Sequence, residues 1–146
     1  MRGTNPAPDP DALAYWLLLS AGGAPDSRED TLMAAVHIYD QLRTHLSIFL
    51  GTSGFDSLWA RSLYLLYRTI AWDTEPPVAA TPHQLDLLIA PGTVAEAAMR
   101  SHALVSQFLS LLFTFIGADL GFRLLQQRWP ALPVPLAYAK GEELSQ

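Results

Sequence analysis

The stretch Thr93–Pro130, TVAEAAMRSHALVSQFLSLLFTFIGADLGFRLLQQRWP, decides the fold. Thr93 followed three residues later by Glu96 is a capping box, in which each side chain accepts the other residue's backbone N–H at a helix start. Apolar residues then thicken until, between Leu104 and Ile116, they lie on nearly every side of a helical wheel. A helix of that kind is expected to be surrounded by others, so the segment reads as the central helix of a bundle. Its most apolar part, Ala103 to Ile116, is interrupted by Ser106, Gln107, Ser110 and Thr114 and is shorter than the roughly 20 residues a bilayer requires, so no membrane span is expected. Ser106, Ser110, Thr114 and Ala118 recur every fourth residue and, with Gly117 and Gly121, make a strip of small residues that lets a neighbouring backbone approach. The G-x-x-x-G at Gly117–Gly121 contains Asp119, which does not suit a membrane helix pair. A final helix from about Asp119 to Trp129 stops at Pro130, and it either continues the central helix through a bend at Gly117 or starts afresh.

Upstream, the same signals repeat. Asp9 caps a short helix from Pro10 to about Ser20, and Ser27 with Asp30 opens a longer one that Gly51 ends after Leu50. In that longer helix Leu32, Val36, Tyr39, Leu42, Leu46 and Phe49 form the expected inner stripe. Ser53 and Asp56 open a third helix over about Gly54–Trp72, with Phe55, Trp59, Ser62, Leu63, Leu66 and Ile70 facing inward; the short GTSG link favours an antiparallel hairpin. The segment DTEPPVAATP breaks the pattern, and a short helix follows from Thr81 to about Ala90 before Pro91 and Gly92. The expected architecture is therefore all-α, a compact bundle of about five to six helices. Residues 1–27 form a flexible arm plus a short helix, 28–130 the bundle, and 131–146 an extended Pro-rich tail.

Composition excludes several function classes. Half of the 146 residues are hydrophobic and 16% are charged, so the chain is built to bury a core, and its 25 leucines favour helix. A net charge of −5, with seven Arg against nine acids between residues 28 and 130, leaves no basic face for nucleic acid. With no cysteine there are no disulfides, thiol nucleophiles or Cys-bound metals. The run Leu13–Leu19 is flanked by Asp9 and Asp11 instead of a basic region, a poor secretory signal, and a cytoplasmic location is the expectation.

The candidate chemistry is sparse. His37, Asp40 and His45 share a helix, but residues eight apart are about 80° out of phase, unlike the i, i+3 or i, i+4 pairs of helical metal sites. His83 and His102 add no recognisable ligand spacing, so no metal is expected and no cofactor is called for. Gly51-Thr52-Ser53-Gly54 is one residue short of a nucleophile elbow. The only lysine, Lys140, lies in the tail, which disfavours phosphate-cradling enzymes. Thr44-His45-Leu46 lacks the lysine that usually follows a phosphotransfer histidine, and that reading rests on fold analogy alone. Arg61, Tyr64 and Arg68 form a polar stripe suited to an anion or a ligand carboxylate. The competing expectation is structural, with Arg61 in a buried or half-buried ion pair with Asp119, which also faces Arg123 at i, i+4. Trp16 and Trp129 flank the bundle and are the candidate interface anchors, because amphipathic aromatics dominate binding hot spots.

The segments Gly51–Arg61, GTSGFDSLWAR, and Ile116–Pro130, IGADLGFRLLQQRWP, resemble a family of small, all-helical bacterial proteins without an assigned activity. The resemblance spans about a fifth of the chain and implies bacterial origin, as does the eight-to-one ratio of Arg to Lys. The leading expectation is a non-enzymatic interaction or structural module that binds a protein partner or itself as a homo-oligomer, through apolar surface near the first helix, the last helix or the tail. The alternative is a small-molecule- or anion-sensing regulatory bundle with a pocket beside the central helix and Arg61, Tyr64 and Arg68 as its polar groups. An enzyme ranks third, since no base, nucleophile and oxyanion site assemble from these residues.

Overall fold

The computed structural model describes residues 9–22, 28–69 and 93–133, which fold into five helices: α1 Pro10–Gly22, α2 Arg28–Leu50, α3 Thr52–Thr69, α4 Val94–Ile116 and α5 Ala118–Arg128. No strand occurs among the described residues, and the fold is a compact all-α bundle. The helix expected over 81–90, the residues Ser27 and Ile70, and the tail from residue 134 lie outside the described residues.

Local signals set the helix ends. Thr93 is extended (φ −83°, ψ 167°); its hydroxyl accepts the Glu96 N–H at 3.1 Å, and its own N–H donates to Glu96 Oε1 at 3.0 Å. That is the capping box read from the sequence. Asp9 caps α1, accepting the Asp11 N–H on Oδ1 at 3.0 Å. At the other ends, single glycines act as corners. Gly51 (φ +79°) donates its N–H to Ser47 O at 2.9 Å while its carbonyl accepts the Phe55 N–H at 3.0 Å, so it ends α2 and begins α3. The link is therefore one residue, and α3 starts at Thr52, two residues before the expected start. Gly117 (φ +96°) does the same between α4 and α5, with Gly117 N to Phe113 O and Gly121 N to Gly117 O both at 2.9 Å. The final helix thus starts afresh. A residue with a Cβ rarely adopts positive φ, which is why glycine stands at both corners.

The contacts fix the directions. Arg43 meets Asp56 and Tyr39 meets Trp59, so α2 and α3 run antiparallel. Asp11 meets His102 and Ser106, whereas Leu18 and Leu19 lie by Ala95 and Met99, so α1 runs antiparallel to α4. The stems α2 and α4 run side by side with α1 and α3 packed against both, and α5 folds back on α4. At the centre Tyr39, Phe55, Trp59 and Phe108 join α2, α3 and α4, with ring centroids 4.7–6.0 Å apart. Burial pushes the Tyr39 phenol above its usual pKa.

The stripe read for α3 is buried at Phe55, Trp59, Ser62, Leu63 and Leu66. That of α2 differs in its outer turns: Tyr39, Leu42 and Leu46 are buried, but Thr31, Ala35 and Ile38 complete the inner face, and Phe49 is 48% exposed. Size misleads here, because α1 closes on small residues; a Cβ added at Gly22 would come within 3.2 Å of the Ala34 Cβ. Nor is α4 buried all round. Ala97, Ser101, Leu104, Val105, Phe108, Leu109, Leu112 and Phe113 make one inward face, while Ser110 and Thr114 are exposed and Phe115 is 71% exposed. By length and composition α4 is able to cross a membrane, as core helices of bundles also are, and its inward face is buried in this bundle.

The C-terminal boundary shifts as well. After α5 the Trp129 N–H donates to Leu125 O at 2.8 Å and the Leu132 N–H to Trp129 O at 2.9 Å, a turn that carries both side chains into the core. Leu132, assigned to the extended tail from sequence, belongs to the bundle.

Candidate functional site

The first turns of α4 and α2 are lined with small residues, Ala95, Ala98 and Ser101 on one and Thr31 and Ala34 on the other. Where α1 crosses them, these side chains do not fill the space. A cavity of about 350 Å³ results, walled by Leu18, Ala34, Ala95 and Ala98 and opening between Tyr15, Leu19 and Met99. Two of its polar groups are already committed: Ser101 Oγ donates to Ala97 O at 2.9 Å, and the His102 ring bonds Asp11 O at 2.7 Å. Such a cavity rewards apolar atoms and demands no hydrogen bond from its occupant. The rim adds apolar surface, since Tyr15 is 62% and Met99 56% exposed.

One cluster brings together an acid, an imidazole and a hydroxyl. Ser106 Oγ donates to Asp11 Oδ1, and His102 Nε2–H donates to the Asp11 main-chain carbonyl. A relay for nucleophilic attack needs the hydroxyl on the imidazole and the imidazole on the carboxylate. Here both donors grip Asp11, which pins the start of α1 to α4.

The other sequence candidates separate. Arg61, Tyr64 and Arg68 come together on the outward face of α3, with the two guanidinium carbons 6.0 and 5.8 Å from the Tyr64 ring centroid. They do not line the cavity between α1, α2 and α4. Arg61 is exposed and makes no ion pair with Asp119, itself exposed on α5; α3 packs on α2 and α4, and the acid that ties the hairpin is Asp56. Asp56 holds Arg43 in a two-point pair (3.2 and 3.4 Å) that keeps the Arg43 guanidinium above its usual pKa. Trp16 is half-buried against the core. Trp129 is only 8% exposed, so the turn after α5 makes it a core residue, which removes it as an interface anchor.

His45 Nε2 lies 2.6 Å from Leu124 O and ties α2 to α5. His37 is exposed, and His83 lies outside the described residues. Among the described residues no group of three or more His, Asp or Glu is placed to hold a metal ion. The residues that sequence reading missed are the cavity's own, Tyr15, Leu19, Ala34, Ala98 and Met99. The signal was present as AEAAM at Ala95–Met99, side chains too small for a turn at which three helices meet.

No family model, curated protein or solved structure matches the chain.

Proposed function

We propose that the protein is a non-enzymatic interaction module, cytoplasmic, that binds a protein partner through the cavity between α1, α2 and α4. The observation that carries this reading is the pairing of an apolar hole with an exposed apolar rim of Tyr15, Leu19 and Met99. A hole alone suits a small molecule. A hole within a wider apolar rim suits a partner helix that inserts one large side chain and lays its neighbours on the surround, the arrangement in which a few anchors dominate affinity. Methionine at the rim adapts to the shape of what docks there.

A native mass spectrum of the untagged protein, purified from its own host, tests this. A heteromeric or oligomeric mass is expected; a bare monomer at micromolar concentration contradicts it. A monomer carrying a small additional mass would favour the second reading, a bundle that senses a small apolar molecule, which the cavity's volume of about 350 Å³ also supports.

A further inference from the structure

We propose that the outward face of α3, built on Arg61, Tyr64 and Arg68, is a docking site for an acidic segment of a protein partner, separate from the cavity. The three residues are three and four apart, so they share one strip of the helix surface. Both guanidinium groups lie within 6.0 Å of the same ring centroid, which places them at most about 12 Å from each other. Like charges along one strip of a helix are offset when acids stand three or four residues away. Between Ser57 and Arg68 the helix carries no acid, and Asp56, one residue before, is taken by Arg43. Neither Arg61 nor Arg68 makes an ion pair among the described residues, although the chain as a whole has 14 acids against nine bases.

The guanidinium groups remain free to bind. Each guanidinium carbon lies 5.8–6.0 Å from the ring centroid, and the five N–H donors of each group stay available for two-point bonds to carboxylate. Tyr64, 44% exposed, adds a phenol O–H between them. A segment with two carboxylates up to about 12 Å apart can engage both arginines at once.

The test uses the full chain, ¹⁵N-labelled, titrated with a capped deca-glutamate peptide in low salt. The Arg61 and Arg68 Nε–Hε signals and the Tyr64 ring signals should move together and saturate, with binding weakened several-fold by physiological salt. Arg61→Gln with Arg68→Gln should weaken binding about tenfold with an unchanged Tm, since both side chains are exposed. The paired Arg→Lys variant, which keeps charge and loses the planar fork, should fall between. Absence of shifts at millimolar peptide, or equal shifts at other residues in the double glutamine variant, overturns the proposal. Inorganic phosphate or an oligothymidylate of equal charge binding as well as the peptide overturns the assignment to an acidic protein segment. Movement of the arginine signals in Asp73→Asn with Glu75→Gln, without peptide, would show that the chain's own acids occupy the site and would also overturn it.

Discussion

Replacing Leu17 by alanine should release α1 without unfolding the rest of the bundle. With 13 residues, α1 is at the length where an isolated helix is marginal in water, so it stays helical because it is docked. The docking rests on Leu13, Ala14 and Leu17, all buried, and on the two hydrogen bonds to Asp11. A fully buried leucine contributes about 1.5–3 kcal/mol, so the two leucines supply most of the attachment before ordering costs are subtracted. Truncating a leucine at a fully buried site costs about 2–5 kcal/mol. If about 3 kcal/mol of this falls on the docking equilibrium, the undocked population rises roughly a hundredfold, at 1.4 kcal/mol per tenfold. The aromatic centre of Tyr39, Phe55, Trp59 and Phe108 belongs to α2, α3 and α4 and should persist. Native-state amide hydrogen exchange, read on fragments, distinguishes local from global loss. Protection of residues 13–20 should collapse in Leu17→Ala while that of α3 and the middle of α4 changes little. Equal loss of protection in α1 and α3 would refute the reasoning, because it would make α1 an inseparable part of one cooperative unit.

Three further predictions concern two corners and a cap. A Cβ at Gly121 would lie 2.5 Å from Phe113 Cδ1 and 2.9 Å from Cε1, a rigid ring close to the α4–α5 corner, so Gly121→Ala should cost about 1–3 kcal/mol in chemical denaturation. Gly117→Ala meets no atom within 4 Å yet should also destabilise, by about 1–2 kcal/mol, because its φ of +96° is unfavourable for any residue with a Cβ. An unchanged denaturation midpoint in either variant would contradict the corner geometry. The Thr93 backbone N–H bond holds the Glu96 carboxyl below its ordinary pKa. A depressed folded-state pKa means that the contribution is complete above the unfolded value and is lost as pH falls through the folded one. The Thr93 amide proton should therefore shift upfield with Glu96 protonation on acidification, and Glu96→Gln should abolish the titration; a pH-independent Thr93 amide in the native protein would count against the capping box.

Much of this fold was legible because helix ends carry local chemistry. Thr93 with Glu96, Asp9 before Pro10, and Gly51 each mark a boundary by a mechanism that needs no tertiary context, whereas at Gly117 the sequence left a bend and a break equally open. The inner face of α3 was legible because its buried residues are large and regularly spaced. The inner face of α2 was less so, since Thr31 and Ala35 are buried by the close approach of other helices, and periodicity weighted by size passes over them. Trp129 shows the reverse error: it looked like an exposed anchor beside a proline-rich tail, but the turn through Leu132 brings it inside. The cavity could not be read, because it is a difference between the volume three helices enclose and the volume their side chains fill. Arg61 and Asp119 could not be placed either, since which helices neighbour α3 is settled by tertiary packing and leaves no local signal in the sequence.

The most direct test of the central claim is to fill the hole. Ala98→Phe places a ring into a cavity of about 350 Å³ from a wall residue, so the bundle should keep or gain thermal stability while the docking place disappears. Wild-type and Ala98→Phe proteins, purified identically from the native host and compared by quantitative mass spectrometry, should differ in one respect. The partner or second copy retained by the wild type should fall at least about tenfold in the variant, corresponding to loss of a single anchor worth 1.4 kcal/mol or more. Equal retention by a folded Ala98→Phe protein would contradict the assignment of function to this cavity.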